Sequence, residues 1–136
     1  MGQQQLLLII LGVIVVGIAV AVGITMFTDS AINANRDAIS NDLVNLAARA
    51  QQFYRRPTSL GGGGNSFNLL GTSSITLLTN KPSNGNGSYF IETAGTGSGT
   101  NAMVVIKGVG NEIYNGSPVA IHVYVFPDHD SMVTIN

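Results

Sequence analysis

The chain has 136 residues, a formal net charge of -1 and only 10% charged side chains. That length suits one domain, and such a charge balance supplies no basic patch for a phosphate backbone, which argues against nucleic acid as a partner. Cysteine is absent, which excludes disulfides and thiolate metal sites.

Residues 6–27 carry no charge and residues 3–54 no proline. Residues 6–24 read LLLIILGVIVVGIAVAVGI, which as a helix spans roughly 28 Å, about one hydrocarbon core. Val and Ile are modest helix formers in water, but in lipid the backbone must satisfy its own hydrogen bonds, so the run reads as a membrane-spanning helix. A cleavable signal peptide would open with basic residues and have a shorter apolar core. The start here, MGQQQ, has neither Lys nor Arg. Gly12, Gly17 and Gly23 interrupt the run, and Gly17 with Ala21 and Ala19 with Gly23 form small-xxx-small pairs that let helices approach closely. The same glycines each cost about 1 kcal/mol against Ala, which makes them the candidates for local unwinding outside lipid.

Residues 29–56 form the second segment. Ile32, Ile39, Leu43, Leu46, Ala50 and Phe53 keep to one face of a helix. Asn35, Arg36, Asn41, Asp42, Asn45 and Arg49 fall mostly off it. Asp29 or Ser30 could cap a separate helix, but nothing breaks the pattern, and one continuous helix is expected. Pro57 holds Arg56 extended, and Arg55 and Arg56 suit the negative end of the helix dipole, so the helix should end there.

Residues 57–136 read as a small β-rich head. Gly61-Gly62-Gly63-Gly64 lacks the GK[ST] of a phosphate-binding loop and reads as a flexible surface connection. Strand composition occurs at 74–79, 88–93, 102–109 and 119–126, with 132–135 as one more short edge strand. Short turn-rich connections imply an antiparallel meander. Val119, Ile121, Val123 and Val125 share the face that suits the helix. Ala120, His122, Tyr124 and Phe126 share a face too aromatic for open solvent, which implies cover from a loop or a neighbouring subunit. The expected fold is α+β: a long N-terminal helix, apolar first and amphipathic later, packed on an antiparallel sheet of about four strands.

Little in this sequence points to chemistry. Asp128-His129-Asp130 is the one cluster of metal-ligand residue types, and three consecutive residues rarely converge on an ion. His122 has no nucleophile or carboxylate arrangement to make it a base. No cofactor, metal or catalytic role is expected. Asn86-Gly87-Ser88 fits the glycosylation sequon, although Asn-Gly is more simply a hairpin turn.

The uncharged run at 6–24, its amphipathic continuation to Tyr54, the Gly-rich connection and the small sheet together resemble the type IV pilin-like proteins, including type IV pilins and type II secretion pseudopilins. The resemblance covers the whole chain in layout and the first 50 or so residues in pattern. It implies a short basic leader removed by a prepilin peptidase, either before Met1 or after Gly2, and an N-methylated new terminus. It implies glutamate at position 5, where this chain has Gln5. In the family that glutamate is thought to neutralise the amine of an adjacent subunit; Gln5 can accept a hydrogen bond from it but cannot cancel its charge.

The function expected from this reading is a structural subunit of a helical cell-surface filament. Its partners are membrane lipid before assembly, the prepilin peptidase and pilus assembly machinery, and identical subunits afterwards. The precursor would sit in the cytoplasmic membrane and the filament outside the cell. Leu6, Leu7, Ile10, Val13, Ile14 and Ile18 are the expected filament-core contacts. The alternatives are a pseudopilin of a type II secretion-like system and a single-pass anchor displaying a small binding domain.

Overall fold

The computed structural model describes residues 2–136. Met1 and the terminal processing expected of it lie outside the described residues. One helix, α1 (Gly2–Arg55), runs without interruption for 54 residues, roughly 80 Å at 1.5 Å per residue. Four strands follow as an antiparallel meander in the order β1 (Gly87–Thr96), β2 (Met103–Tyr114), β3 (Ser117–Val125) and β4 (Asp130–Thr134). The fold is α+β, a long N-terminal helix on a four-stranded antiparallel sheet.

The core lies between the second half of α1 and one face of the sheet. Ile32, Ile39, Leu43, Leu46, Ala47, Ala50, Phe53 and Tyr54 are buried along the helix. Opposite them stand Ile91, Val104, Ile106 and the alternating Val119, Ile121, Val123 and Val125. The expected inner face of β3 is therefore the one that meets α1. On the other face, Ala120 is covered by the end of the chain itself: the amides of Ile135 and Asn136 both donate to its carbonyl, at 2.8 and 3.2 Å. A polar row crosses this outer face, with Lys107 Nζ 3.4 Å and His122 Nε2 2.6 Å from the two oxygens of Glu92. The His122 contact is an ion-pair distance whose angle is too poor for a hydrogen bond.

Two glycines let the helix settle this closely. A Cβ on Gly108 would lie 2.6 Å from Ile39 Cγ2, and one on Gly110 would overlap Asn35 Oδ1. Hydrogen at these positions lets α1 sit this close without the Asn35, Ile39 and Tyr89 side chains shifting, so β2 has glycines where periodicity alone would place side chains.

Two expectations are corrected. Residues 74–79 are not a strand; they hold a 3-10 turn, Ile75–Leu77. Ile75 and Leu78 are buried and Leu77 is exposed, an i, i+3 spacing that suits a 3-10 turn and that a short apolar run does not separate from a strand. The four glycines are not a loose surface connection. Gly63 N–H donates to Phe53 O (2.8 Å), Asn65 to Tyr54 O (2.7 Å) and Gly64 to Arg56 O (2.9 Å), so the loop returns to take the carbonyls that the helix end leaves unpaired. Gly62 and Gly63 are buried, and a Cβ on either would strike backbone. Arg55 stands in the last turn, but its Nη2 donates to Pro127 O at 3.3 Å and so ties the helix to the β3–β4 turn.

Gly110→Ala is expected to lower head stability by about 1–3 kcal/mol through overpacking against α1. Gly85→Ala, which meets open space, should leave stability unchanged. Urea unfolding of the detergent-solubilised chain, followed by tyrosine fluorescence, compares the two.

Candidate functional site

The sequence places all 22 residues of 6–27 on α1, and the head touches none of them. Every Leu, Ile, Val, Met and Phe in this stretch is 51–77% exposed. The exposure is uniform around the cylinder. Leu6, Leu7, Ile10, Val13, Ile14 and Ile18 are as open as their neighbours on the other sides, so the segment is an apolar rod and not an amphipathic face. Gly12, Gly17 and Gly23 lie within regular helix and border open space. Gln5 is exposed on the first turns, where no acidic residue stands.

The polar groups inside the rod are satisfied within it. Thr25 Oγ1 donates to Ala21 O (2.8 Å) and Thr28 Oγ1 to Ile24 O (3.0 Å). Backbone N–H and C=O groups are paired along the helix. Nothing from residue 6 to 27 needs water, and at roughly 33 Å the segment matches a hydrocarbon core. The helix is long and apolar enough to cross a membrane.

A polar cluster fixes the head on the second half of α1. Asp42 Oδ2 accepts from Tyr89 Oη and, at 3.0 Å each, from Asn84 Nδ2 and Asn86 Nδ2. Asn84 Oδ1 in turn accepts from the amides of Asn86 (2.8 Å) and Gly87 (3.2 Å), which shapes the turn into β1. Asn35 Nδ2 donates to Asn86 O at 2.8 Å. The Asn86 nitrogen that a glycan would take is thus already a donor to Asp42. Burial disfavours the Asp42 anion, but the bonds from Tyr89, Asn86 and Asn84 outweigh it and hold the carboxyl below its usual value. Burial first, then donation to Asp42 and the Asp42 charge, raise the Tyr89 phenol far above its usual value. A general base works best with a pKa near the operating pH; Asp42 is driven away from it and acts as an anchor. None of these residues stands out in the sequence, because Asp42 adjoins the apolar face and its donors lie more than 40 positions away.

Asp128 and His129 pair with each other, Nδ1 to Oδ1 at 2.6 Å, and the imidazole stacks on Phe126 at 4.5 Å. That hydrogen bond lowers the Asp128 carboxyl. Among the described residues no three His, Cys, Asp or Glu side chains converge as a metal set.

Both shifts around Asp42 carry a pH signature. A depressed carboxyl stabilises the fold above its unfolded value near 4 and loses that contribution as pH falls through its folded value. A raised phenol stabilises the fold below its unfolded value near 10 and loses that contribution as pH rises beyond it. Head stability should therefore fall on both flanks. Tyr89→Phe should flatten the alkaline loss, and Asp42→Asn should cost about 1–3 kcal/mol at neutral pH and weaken the acid loss. Urea midpoints from pH 3 to 11 test this; matching profiles for wild type and variants would show that the cluster carries no linkage. No protein-family model, curated protein or solved structure matches the chain.

Proposed function

We propose that this chain is a structural subunit of a helical cell-surface filament, of the type IV pilin-like kind, held in the cytoplasmic membrane by residues 6–27 before assembly. One observation carries the reading: an apolar cylinder, uncovered on every side, continues without a hinge into the helix on which the head is built. A prepilin peptidase would release the N-terminus, and an assembly machine would move the rod from lipid into the company of equivalent rods. Each fully buried Leu, Ile or Val adds about 1.5–3 kcal/mol, so a handful of contacts among Leu6, Leu7, Ile10, Val13, Ile14 and Ile18 would hold a subunit firmly. Contacts of this kind join unlike surfaces of successive copies and propagate as a helix. The sheet and its loops would form the outer coat. The proposal assigns the chain no catalytic role.

A domain merely displayed on an anchor would be served by a flexible linker. Here only Thr28, Asp29, Ser30 and Ala31 separate Phe27 from the buried Ile32, and all four are helical.

Electron microscopy of sheared cell-surface material should show filaments that contain this chain; recovery of membrane-embedded monomer alone would refute the proposal. Ile14→Asp and Leu7→Asp should abolish filaments while the head stays folded; near the centre of the apolar run, where Ile14 stands, one Asp costs roughly 3 kcal/mol per copy. Normal filaments from either variant would place the core elsewhere.

A further inference from the structure

The β2–β3 hairpin reaches farther toward the apolar rod than the rest of the sheet. β2 runs antiparallel to α1: near its start the Gly99 amide donates to Tyr54 Oη at 3.1 Å, and at its end the Tyr114 ring lies 4.8 Å from the Arg36 guanidinium carbon. Gly108 and Gly110 sit against Ile39 and Asn35. From Glu112, whose amide still lies 3.5 Å from Asn35 Oδ1, to Tyr114 the strand descends about 7 Å, equivalent to roughly four to five helix residues, which brings the tip to about the level of Ala31. The contacts agree, for Tyr114 shares a cleft with Asp29, Ile32, Asn33 and Arg36.

That tip is apolar and tightly built. Asn115 (φ 51) and Gly116 (φ 80) make a two-residue turn in the left-handed region. Ile113 and Tyr114 are exposed, as is Ile135 at the same end of the sheet, and residues 113–118 carry no charge. Asn136 Nδ2 donates to the carbonyls of Tyr114 and Ser117 at 2.8 Å and of Pro118 at 3.1 Å, which ties the C-terminal residue to the hairpin base. Exposed apolar and aromatic side chains thus stand where the uncharged stretch of α1 gives way to Asp29.

We propose that the tip of the β2–β3 hairpin, through Ile113 and Tyr114, rests in the interfacial layer of the phospholipid bilayer that residues 6–27 cross, as a second membrane contact that orients the head. The inference rests on the membrane-spanning reading of α1. Tyrosine is favoured at headgroup level, where its ring is in apolar surroundings and its hydroxyl is wet. The Arg36 guanidinium stands over the same ring, 4.8 Å from its centre, so a cation accompanies the aromatic side chain on the side of the sheet that faces α1. Asp29 and Glu112 are the carboxylates nearest the rim; Glu112 directly precedes Ile113 on β2, and residues 113–118 beyond it are uncharged. Two contacts, rod and hairpin, would stop the head from swinging about α1.

The chain has no Trp, so an introduced indole reports alone. The full chain is reconstituted in phosphatidylcholine and phosphatidylglycerol vesicles whose lipids are brominated either near the glycerol or near the chain terminus. Tyr114→Trp and Ile113→Trp should give blue-shifted emission that shallow bromines quench more than deep ones. Thr96→Trp, at the opposite end of the sheet, should stay red-shifted and unquenched. Ile14→Trp should be quenched by deep bromines. Quenching of Ile14→Trp without quenching at either hairpin position overturns the hairpin contact and leaves the span intact. Failure of Ile14→Trp to be quenched overturns the span and the hairpin contact with it. Blue-shifted but unquenched hairpin indoles, with Ile113→Cys cross-linking between copies, would show that a second copy covers the tip and would also overturn the proposal. Ile113 is exposed, so its variant keeps the test open if Tyr114→Trp disturbs the head.

Discussion

One backbone hydrogen-bond ladder, unbroken from Gly2 to Arg55, couples every other feature of this molecule. No proline withholds a donor between residues 3 and 54, and the ladder passes the boundary at Thr28 without a change of geometry. The uncovered half and the covered half therefore share one axis and one rotation. Each residue turns the helix by about 100°, so the face that carries Ile32, Ile39 and Leu43 stands at a fixed angle to every residue of the apolar rod. Whatever surrounds the rod also sets how the head is presented.

The head is held to this axis by two terms of different size and purpose. Eight buried apolar residues on α1, at about 1.5–3 kcal/mol for each large one, supply most of the attraction. The hydrogen bonds on Asp42 add about 1–3 kcal/mol together, too little to drive the packing. They choose its register. A helix slid by one turn would keep an apolar face on the sheet, yet it would set Ala38 or Leu46 opposite Tyr89, Asn84 and Asn86 and leave those donors unpaired. It would also change what lies over Gly108 and Gly110, where Ile39 and Asn35 now fit only because no Cβ intervenes. Apolar burial is indifferent to such a slide; the polar cluster and the glycines are not.

This division explains what could be read from the sequence. The helix was legible throughout, because its signals are local: missing charge, missing proline and the spacing of Ile32, Ile39, Leu43 and Phe53. The inner face of β3 was legible for the same reason, through the alternation from Val119 to Val125. Residues 74–79 were misread because Ile75 and Leu78 satisfy both a strand and a 3-10 turn until their burial is known. Gly61 to Gly64 were misread because a glycine that admits close backbone packing looks the same as one that confers looseness. Asp42 and its donors were invisible, since no spacing rule links position 42 to positions 84, 86 and 89. The apolar, uncharged helix at 6–27 was legible as well, because its signal needs no partner within the chain.

The rod also decides the surroundings of the whole molecule. A domain of this size is stable by about 5–15 kcal/mol. The uncovered Leu, Ile, Val, Met and Phe of residues 6–27, at about 1.5–3 kcal/mol each on transfer from water, amount to tens of kcal/mol. A rearrangement of so marginally stable a head could not offset that sum. On the proposed function, lipid would meet this apolar requirement before assembly and other apolar rods afterwards. The choice between those two is finer, because lipid tails and neighbouring Leu and Ile side chains are nearly equivalent as solvents. In the proposed filament, close packing at Gly12, Gly17 and Gly23, which border open space, would be the term able to favour rods over lipid, and it is short-ranged enough to act only once rods already lie side by side.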